Sequence, residues 1–562
     1  MKPTYAALLA STILGSTLVT NGAHATVFDH VLVLSIDGLH QADLTDPATR
    51  QYLPNILALA GSGVSYTAVT GTRPSDSFPG TAALLTGASP RSTGVFYDDA
   101  YARNLTAPGG NASTPRGTEV QFAENIDRNQ NLLSGGGPTS GPGAYGAGAI
   151  NTAALPLSCA ANGCSPVTPN AYLKTNTVFD VAHAAGLQTA FSDKHPAAYT
   201  LFTGATGQSI SDYYSPEINS LVAIDPKQGG RLIDASSNPN NLALTDATRD
   251  YRLTESYDDL KVAATLNRID GRTGLGDAAA PVPAISYANF QAVSVGQKLV
   301  GNATGTGGID LVNGKEVVNP ALADALTHTD QSVGRIVAEL KAKGLDGSTL
   351  VVLTAKHGQD PRIGAATQVS GNTIPDALAA AGIAVVQATQ DDVSLLWLAD
   401  PSQAAAARKV IAGLPAGAGV DQVLDGSAFG SPASDNRTPD LVVQLKPGYL
   451  YDGNTSSTVK RAEHGGLVPD DLAVPLILGS TGFASSVQGT TVNSPVLTTQ
   501  VAPTVLAALG LDYTLLDGVR LEATQVLPGS GVGATAVPEP ATLAVMGTGV
   551  LALLGVRRRR QG

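Results

Sequence analysis

Apolar and polar positions along this chain repeat with two periods, and the two alternate. HVLVLSIDG (30–38) is an apolar, β-branched run closing on Asp-Gly, which predicts a buried strand that delivers a carboxylate to its C-terminal edge. LPNILALAGSGVSYTAV (53–69) predicts a helix closed near Gly61 and then a strand, and TAALLTG (81–87) predicts a helix stopped by its glycine. The same grammar returns in VFDVAHAAG then LQTAFSD (178–193), in ALADALTHTDQSVGRIVAELKAKG then STLVVLTAKHG (321–358), and in IPDALAAAGIAVVQAT (374–389). Strands alternating with helices imply an α/β fold: a mainly parallel central sheet with helices on both faces. Ligands on such sheets sit at the C-terminal strand edges. Residues 103–170, rich in Gly, Pro, Ser, Thr and Asn, and residues 203–280, polar and weakly periodic, read as loop or cap insertions rather than separate domains.

One stretch breaks the pattern. RPSDSFPG (73–80) puts polar residues where a buried helix should begin and Pro79 where a helix interior would reject it. Ser77 is either an N-cap with Pro79 in the first turn or a hydroxyl held up for chemistry.

The chain ends carry other signals. Lys2, an apolar stretch from Tyr5 to about Val19 and Ala23-His24-Ala25 read as an export signal over residues 1–25, so the mature chain is expected to begin at Thr26. After about residue 526 the chain becomes a linker, to 536; VPEP (537–540) then precedes a mostly apolar run, Ala541–Val556, and RRRR at 557–560. This arrangement resembles the PEP-CTERM sorting signal of exported Gram-negative surface proteins, the alternative being a permanent tail anchor. The resemblance implies transient membrane association through the tail, exosortase-type processing, and a place at the cell surface, in the periplasm or outside the cell.

The 562-residue chain, 43% hydrophobic, suffices for a large core. Its formal charge is −12; losing Lys2 with the leader and four Arg with the tail leaves −17. So acidic a chain is not expected to bind nucleic acid specifically. Cys159 and Cys164 suit a small-loop disulfide, with a zinc pair as the alternative.

Polar clusters follow the predicted strands: Asp37, Asp193-Lys194-His195 and Lys356-His357, joined by Ser77 and by Glu463-His464-Gly465-Gly466 before LAVPLILG. Hydroxyl, carboxylate, imidazole and amine converging on one sheet edge would make an active site. Singly, each has a plainer reading: Asp37 as a helix cap, His464 as a loop residue. Glu124 and Asp330 are weaker candidates, Asp330 falling on a predicted solvated helix face; Arg437 and Asp440 read as strand-entry contacts.

The order SIDG, SFPG with LLTGASPRSTGVF, SDKH, LTAKHG, EHGG and TTQVAPTVLAALGL resembles the alkaline phosphatase superfamily, nearest its type I phosphodiesterase/nucleotide pyrophosphatase branch, over about residues 28–525. The resemblance implies an alkaline-phosphatase-like fold across 26–525, Ser77 as nucleophile, and Asp37, His357 and His464 as metal ligands, with Ser77 also on the metal. It leaves departures. The Asp expected before His-Gly is Lys356, and the expected mid-chain Asp and His give way to NFQAVSVGQK, with Gln291 and Gln297 at or near their places. What remains favours one divalent ion, zinc by resemblance, over two. Lys194 and Lys356 would then neutralise phosphoryl oxygens. Lys194 and His195 also resemble a sulfatase pair that contacts the transferred group, the alternative being a structural ion pair with Asp193.

The expected activity is that of an exported metal-dependent phosphoric ester hydrolase, phosphodiesterase-like, with a small phosphate-ester substrate and a phosphoseryl intermediate. The alternative is a weak or inactive surface protein that binds an anionic ligand. Sulfate-ester hydrolysis is disfavoured because SFPGT lacks the Arg of the sulfatase motif.

Overall fold

The structure, a computed structural model, describes residues 26–121, 126–301, 305–452 and 460–533. The export signal, the sorting tail and Glu124 lie outside these residues.

An eight-stranded sheet organises the chain. Its strands are β1 (His30–Ile36), β2 (Gly63–Tyr66), β3 (Thr189–Ser192), β4 (Asp212–Tyr213), β5 (Ile285–Phe290), β6 (Thr349–Thr354), β7 (Leu476–Gly479) and β8 (Thr490–Val492). They lie in the order β8-β2-β7-β6-β1-β5-β3-β4. The run from β6 to β4 is parallel, and β7 is antiparallel to both of its neighbours.

The apolar run of β1 is continuous because both of its faces are covered. Val31 and Val33 join one core with Phe78, Leu84, Phe179 and Val505, while Leu32, Leu34 and Ile36 join the other with Ile56, Val262, Leu326 and Ile336. The first core is closed by helices α2 (Ser77–Thr86), α3 (Val178–Ala184) and α7 (Val501–Ala508). The second is closed by α1 (Pro54–Gly61), α4 (Tyr251–Ile269), α5 (Ala292–Lys298) and α6 (Pro320–Ala342). Side chains alternating across a pleated strand thus bury two helical layers with one segment.

Two regions depart from the sequence reading. The 374–389 repeat does form a helix (Thr373–Ala380) and a strand (Val385–Gln390), but the strand joins a separate four-stranded antiparallel sheet with Val393–Leu398, Leu441–Leu445 and Val420–Asp425. The polar 203–280 region contains α4, whose buried side carries Thr254, Asp258, Lys261, Thr265 and Arg268 among its apolar residues. Buried polar groups erase the apolar stripe by which such a helix is read. Within the other insertion, Cys159 and Cys164 form a disulfide across a short hairpin, so the zinc alternative falls.

Asp330 is a correction. It is 1% exposed, and its carboxylate accepts from the Asn55 and Ile56 backbone N–H groups at 3.2 and 2.9 Å and from Asn55 Nδ2 at 2.6 Å. Leu53, at the cap position of α1, has no side-chain acceptor; Asp330 on α6 caps α1 across the interface, placing negative charge at its N-terminus. Asp330→Ala should remove the cap and leave the buried Ile56 N–H unpaired, lowering stability by about 1–3 kcal/mol. A denaturation midpoint unchanged from wild type would contradict the capping role.

Candidate active site

The C-terminal ends of four parallel strands meet α2. Asp37 follows β1, Asp193-Lys194-His195 follows β3, Asn289 and Gln291 lie at the end of β5, and Lys356-His357 follows β6. At the start of α2 the cap is Asp76, whose carboxylate accepts from the Phe78 N–H at 3.0 Å. Ser77 is therefore the first helical residue, and its hydroxyl is not spent on capping. Pro79 sits in the first turn, where an N–H has no intrahelical partner to lose. Gly80 lets the helix settle on β6: a Cβ there would lie 2.7 Å from Lys356 Cβ and from its carbonyl oxygen.

Ser77 Oγ lies 3.3 Å from His357 Nε2 and accepts from Lys194 Nζ at 3.0 Å. His357 Nδ1 faces the Gly358 carbonyl at 2.8 Å. A carbonyl only accepts, so Nδ1 carries the proton and Nε2 turns its lone pair to the serine. His464 packs against His357 with ring centroids 3.8 Å apart and the planes tilted by 36°. Burial holds His464 well below the usual imidazole range, reinforced by the charge of the nearby lysines Lys298, Lys194 and Lys460.

Asp37 is fully buried. Burial works against its ionisation, yet Lys356, His357 and Lys194 override this and hold it well below the usual carboxylate range. Lys356 Nζ stands 3.5 Å from Asp37 Oδ2, 2.9 Å from Asp193 Oδ1 and 3.1 Å from Tyr199 Oη. Lys194 Nζ is 3.8 Å from Asp37 Oδ2. Asn289 Nδ2 donates to Asp37 Oδ1 at 2.7 Å, and Gln291 Nε2 donates to Oδ2 at 2.6 Å. Asp258 on α4 fixes Gln291 by accepting its backbone N–H and that of Ala292. Thus the structural ion pair of Asp193 is with Lys356, and Lys194 belongs to the serine.

A divalent ion fits this donor set poorly. Among the described residues no three His, Cys, Asp or Glu side chains are grouped to hold a metal ion. Asp37 and His357 stand 3.7 Å apart, but both oxygens of Asp37 already accept N–H groups, and two ammonium groups border it. The expected ligand set of Asp37, Ser77, His357 and His464 is assembled around lysines instead.

A cavity of about 750 Å³ opens over the serine. Asp76, Ser77, Lys194, His195, Gln291 and His464 line it, together with Ile218, Val295, Leu299, Arg249, Lys298 and Lys460. Lys356, His357 and Asp37 lie beneath this wall, fully buried. His195 adopts a left-handed φ of 54° and presents Nδ1 to Glu217 at 2.9 and 3.1 Å. Asp127 backs Glu217: burial, then the Glu217 charge, push the Asp127 carboxyl up to about 9, so it stays neutral and shares its proton with Glu217. Arg437 and Asp440 stand apart from this wall. Arg437 lies over the Tyr172 ring and beside Asp435, and Asp440 pairs with Arg103 at 2.6 Å.

Sequence reasoning missed Asp76, Asn289, Tyr199 and Glu217. Asp76 and Asn289 adjoin residues it singled out, Ser77 and Gln291; nothing in SPEIN marks Glu217 as the partner of a histidine 22 positions earlier.

The family described as type I phosphodiesterase / nucleotide pyrophosphatase matches residues 31–467. The PEP-CTERM protein-sorting motif matches 536–560. No curated protein matches the sequence. Among solved structures, murine ectonucleotide pyrophosphatase/phosphodiesterase 5 is similar at 13% identity and a TM-score of 0.51, covering 86% of this chain and 96% of that one. The human counterpart is similar at 11% identity and the same TM-score, over 86% and 95%. A mutant of the alkaline phosphatase PafA reaches 14% and 0.54, over 90% and 99%. At these identities the likeness shows the alkaline-phosphatase-like fold.

The neutral Asp127 sets a pH signature. Folded, it keeps its proton to about pH 9, whereas unfolded it loses it near the ordinary 3.8. The folded chain therefore binds more protons between these values, and this group's contribution to stability falls as pH rises through the window. Asp127→Asn should remove that slope. The variant's melting temperature, relative to wild type, should rise steadily from pH 4 to pH 9; parallel profiles would contradict a neutral Asp127.

Proposed function

The chain belongs to the type I phosphodiesterase / nucleotide pyrophosphatase family, and on that premise we propose an exported phosphoric ester hydrolase in which Ser77 is the nucleophile and a phosphoseryl enzyme the intermediate. One observation carries the reading: Ser77 Oγ, at a helix N-terminus on the cavity wall, is held between the lone pair of His357 and the ammonium of Lys194.

A serine hydroxyl is weakly nucleophilic until a base takes its proton. His357 Nε2 takes it as Oγ bonds to phosphorus. Lys194, adjoining Oγ, then faces the phosphoryl oxygens, and the N-terminal N–H groups of α2 add positive potential. In-line displacement sends the leaving oxygen to the side opposite Oγ, away from His357. A second proton source is needed there. His195 lines the same cavity, and Glu217 at its Nδ1 supports the imidazolium, so its Nε2 supplies the proton as the P–O bond breaks. In the second half a water gives its proton back to His195 and bonds to phosphorus. Oγ departs and recovers its proton from His357, and one ester bond has been exchanged for the elements of water.

A diester is favoured over a monoester because the cavity continues beyond Ser77 into a wall of Ile218, Val295 and Leu299 with Lys298, Lys460 and Arg249. That surface suits a second ester arm carrying both apolar and anionic groups. The PEP-CTERM match supports a secreted or surface location after exosortase-type processing of the tail. No helix among the described residues is long and apolar enough to cross a membrane.

Ser77→Ala should lower turnover of bis-p-nitrophenyl phosphate by at least about 1,000-fold. Mass spectrometry of acid-quenched wild type should find phosphate ester on the Ser77 peptide. Equal inertness of wild type and Ser77→Ala across several esters and added metals would favour an anion-binding surface protein.

A further inference from the structure

Lys356 stands where the resemblance expected a carboxylate ligand, and Gln291 and Gln297 stand where it expected an Asp and a His. Resting on the Ser77 reading, we propose that Lys356 and Lys194 supply the positive charge that divalent ions would otherwise bring, so that phosphoryl transfer in this chain requires no metal ion.

Four observations converge. First, Asp37, the carboxylate best placed to bind an ion, is already compensated: Asn289 and Gln291 donate to its two oxygens, and Lys356 and Lys194 lie 3.5 and 3.8 Å from Oδ2. A divalent ion there would displace two amide N–H donors and stand against two ammonium groups.

Second, the amide of Gln291 cannot turn to offer its oxygen to an ion without breaking another contact. Its Oε1 receives Lys194 Nζ at 3.4 Å, and Nζ can only donate, which leaves Nε2 facing Asp37. Gln297 donates through Nε2 to the Gly38 carbonyl at 2.8 Å, which holds its amide on the Gly38 backbone.

Third, Lys356 cannot swing aside. It is 0% exposed, holds Asp193 and Tyr199, and has Gly80 packed on its Cβ. Fourth, His357 and His464 do not converge on a shared point. Their ring centroids are 3.8 Å apart with the planes tilted by 36°, closer together than two imidazoles directed at one tetrahedral ion would stand.

The two lysines divide the work. Lys194 reaches the cavity and Ser77 Oγ, so it touches the phosphoryl group. Lys356, buried beneath, is a positioning residue: it neutralises Asp37 and Asp193 and keeps the strand ends together under the nucleophile. Both act only as hydrogen-bond donors.

The test measures metal and rate separately on the purified mature chain. Elemental analysis should find no stoichiometric zinc, manganese, iron or calcium, and hydrolysis of bis-p-nitrophenyl phosphate should survive exhaustive chelation within about twofold. Lys194→Met should lose about 100- to 1,000-fold in rate, with no rescue by any added ion. Lys356→Asp puts a carboxylate beside Asp37 and His357 and should take up about one equivalent of zinc by calorimetry, where wild type takes up none. If that variant does not fold, wild-type metal content and chelator response still decide. A stoichiometric ion in the wild type, or activity abolished by chelation and restored by metal, would overturn the proposal. A wild type inert toward every ester would instead sink the hydrolase reading, while calorimetry on the same protein would still show whether it binds zinc.

Discussion

A carboxylate sealed from water must find its compensating charge inside the protein, and Asp37 imposes that demand on everything around it. Stripped of water and unpaired, it would neutralise or unfold the site. The chain answers with an ammonium from β6, another from the end of β3 and two amide groups from β5. Three strands and their register are thereby tied to one buried charge. Removing any one partner strands the others, which makes the constellation stiff. Stiffness is what in-line attack at phosphorus requires, since phosphoryl transfer depends on positioning and fixed charge more than on covalent assistance.

The parallel sheet makes the constellation possible. In the run from β6 to β4 every strand points the same way, so residues far apart in sequence surface along one edge. Helix α2 descends on that edge with its N-terminus, and Gly80 removes the one side-chain atom that would hold it off Lys356. The nucleophile is thus placed by packing as much as by hydrogen bonds. Behind it lies a graded polarity, with buried Asp37 and Lys356 below, Ser77 and Lys194 at the cavity wall, and a mixed apolar and basic surface beyond.

A second buried carboxyl system, His195-Glu217-Asp127, borders the same cavity through His195 and solves a different problem. Asp127 stays protonated, so Glu217 is the one carboxylate facing the His195 imidazole. The left-handed backbone at His195 costs some conformational energy, and the two Glu217 contacts hold it there. Both halves of the site therefore follow one rule, that an internal charge is matched locally by a donor fixed from another element.

The sequence by itself determined the local elements and the chemical inventory. β-Branched runs fixed the buried strands, Gly87 fixed the end of α2, and the order of SIDG, SFPG, SDKH, LTAKHG and EHGG pointed to the fold before any coordinate. Those signals are legible because periodicity and motif order depend on near neighbours. The sheet to which 385–390 belongs, the burial of Asp330, the polar helix α4 and the pairing of Lys356 with Asp193 were decided only in three dimensions. Each depends on which group packs opposite in the folded chain, and no local pattern of apolar and polar positions records that partner. For the same reason the lysine replacing a carboxylate reads in sequence as a lost ligand, and only the packed site shows it as the counter-charge that Asp37 requires.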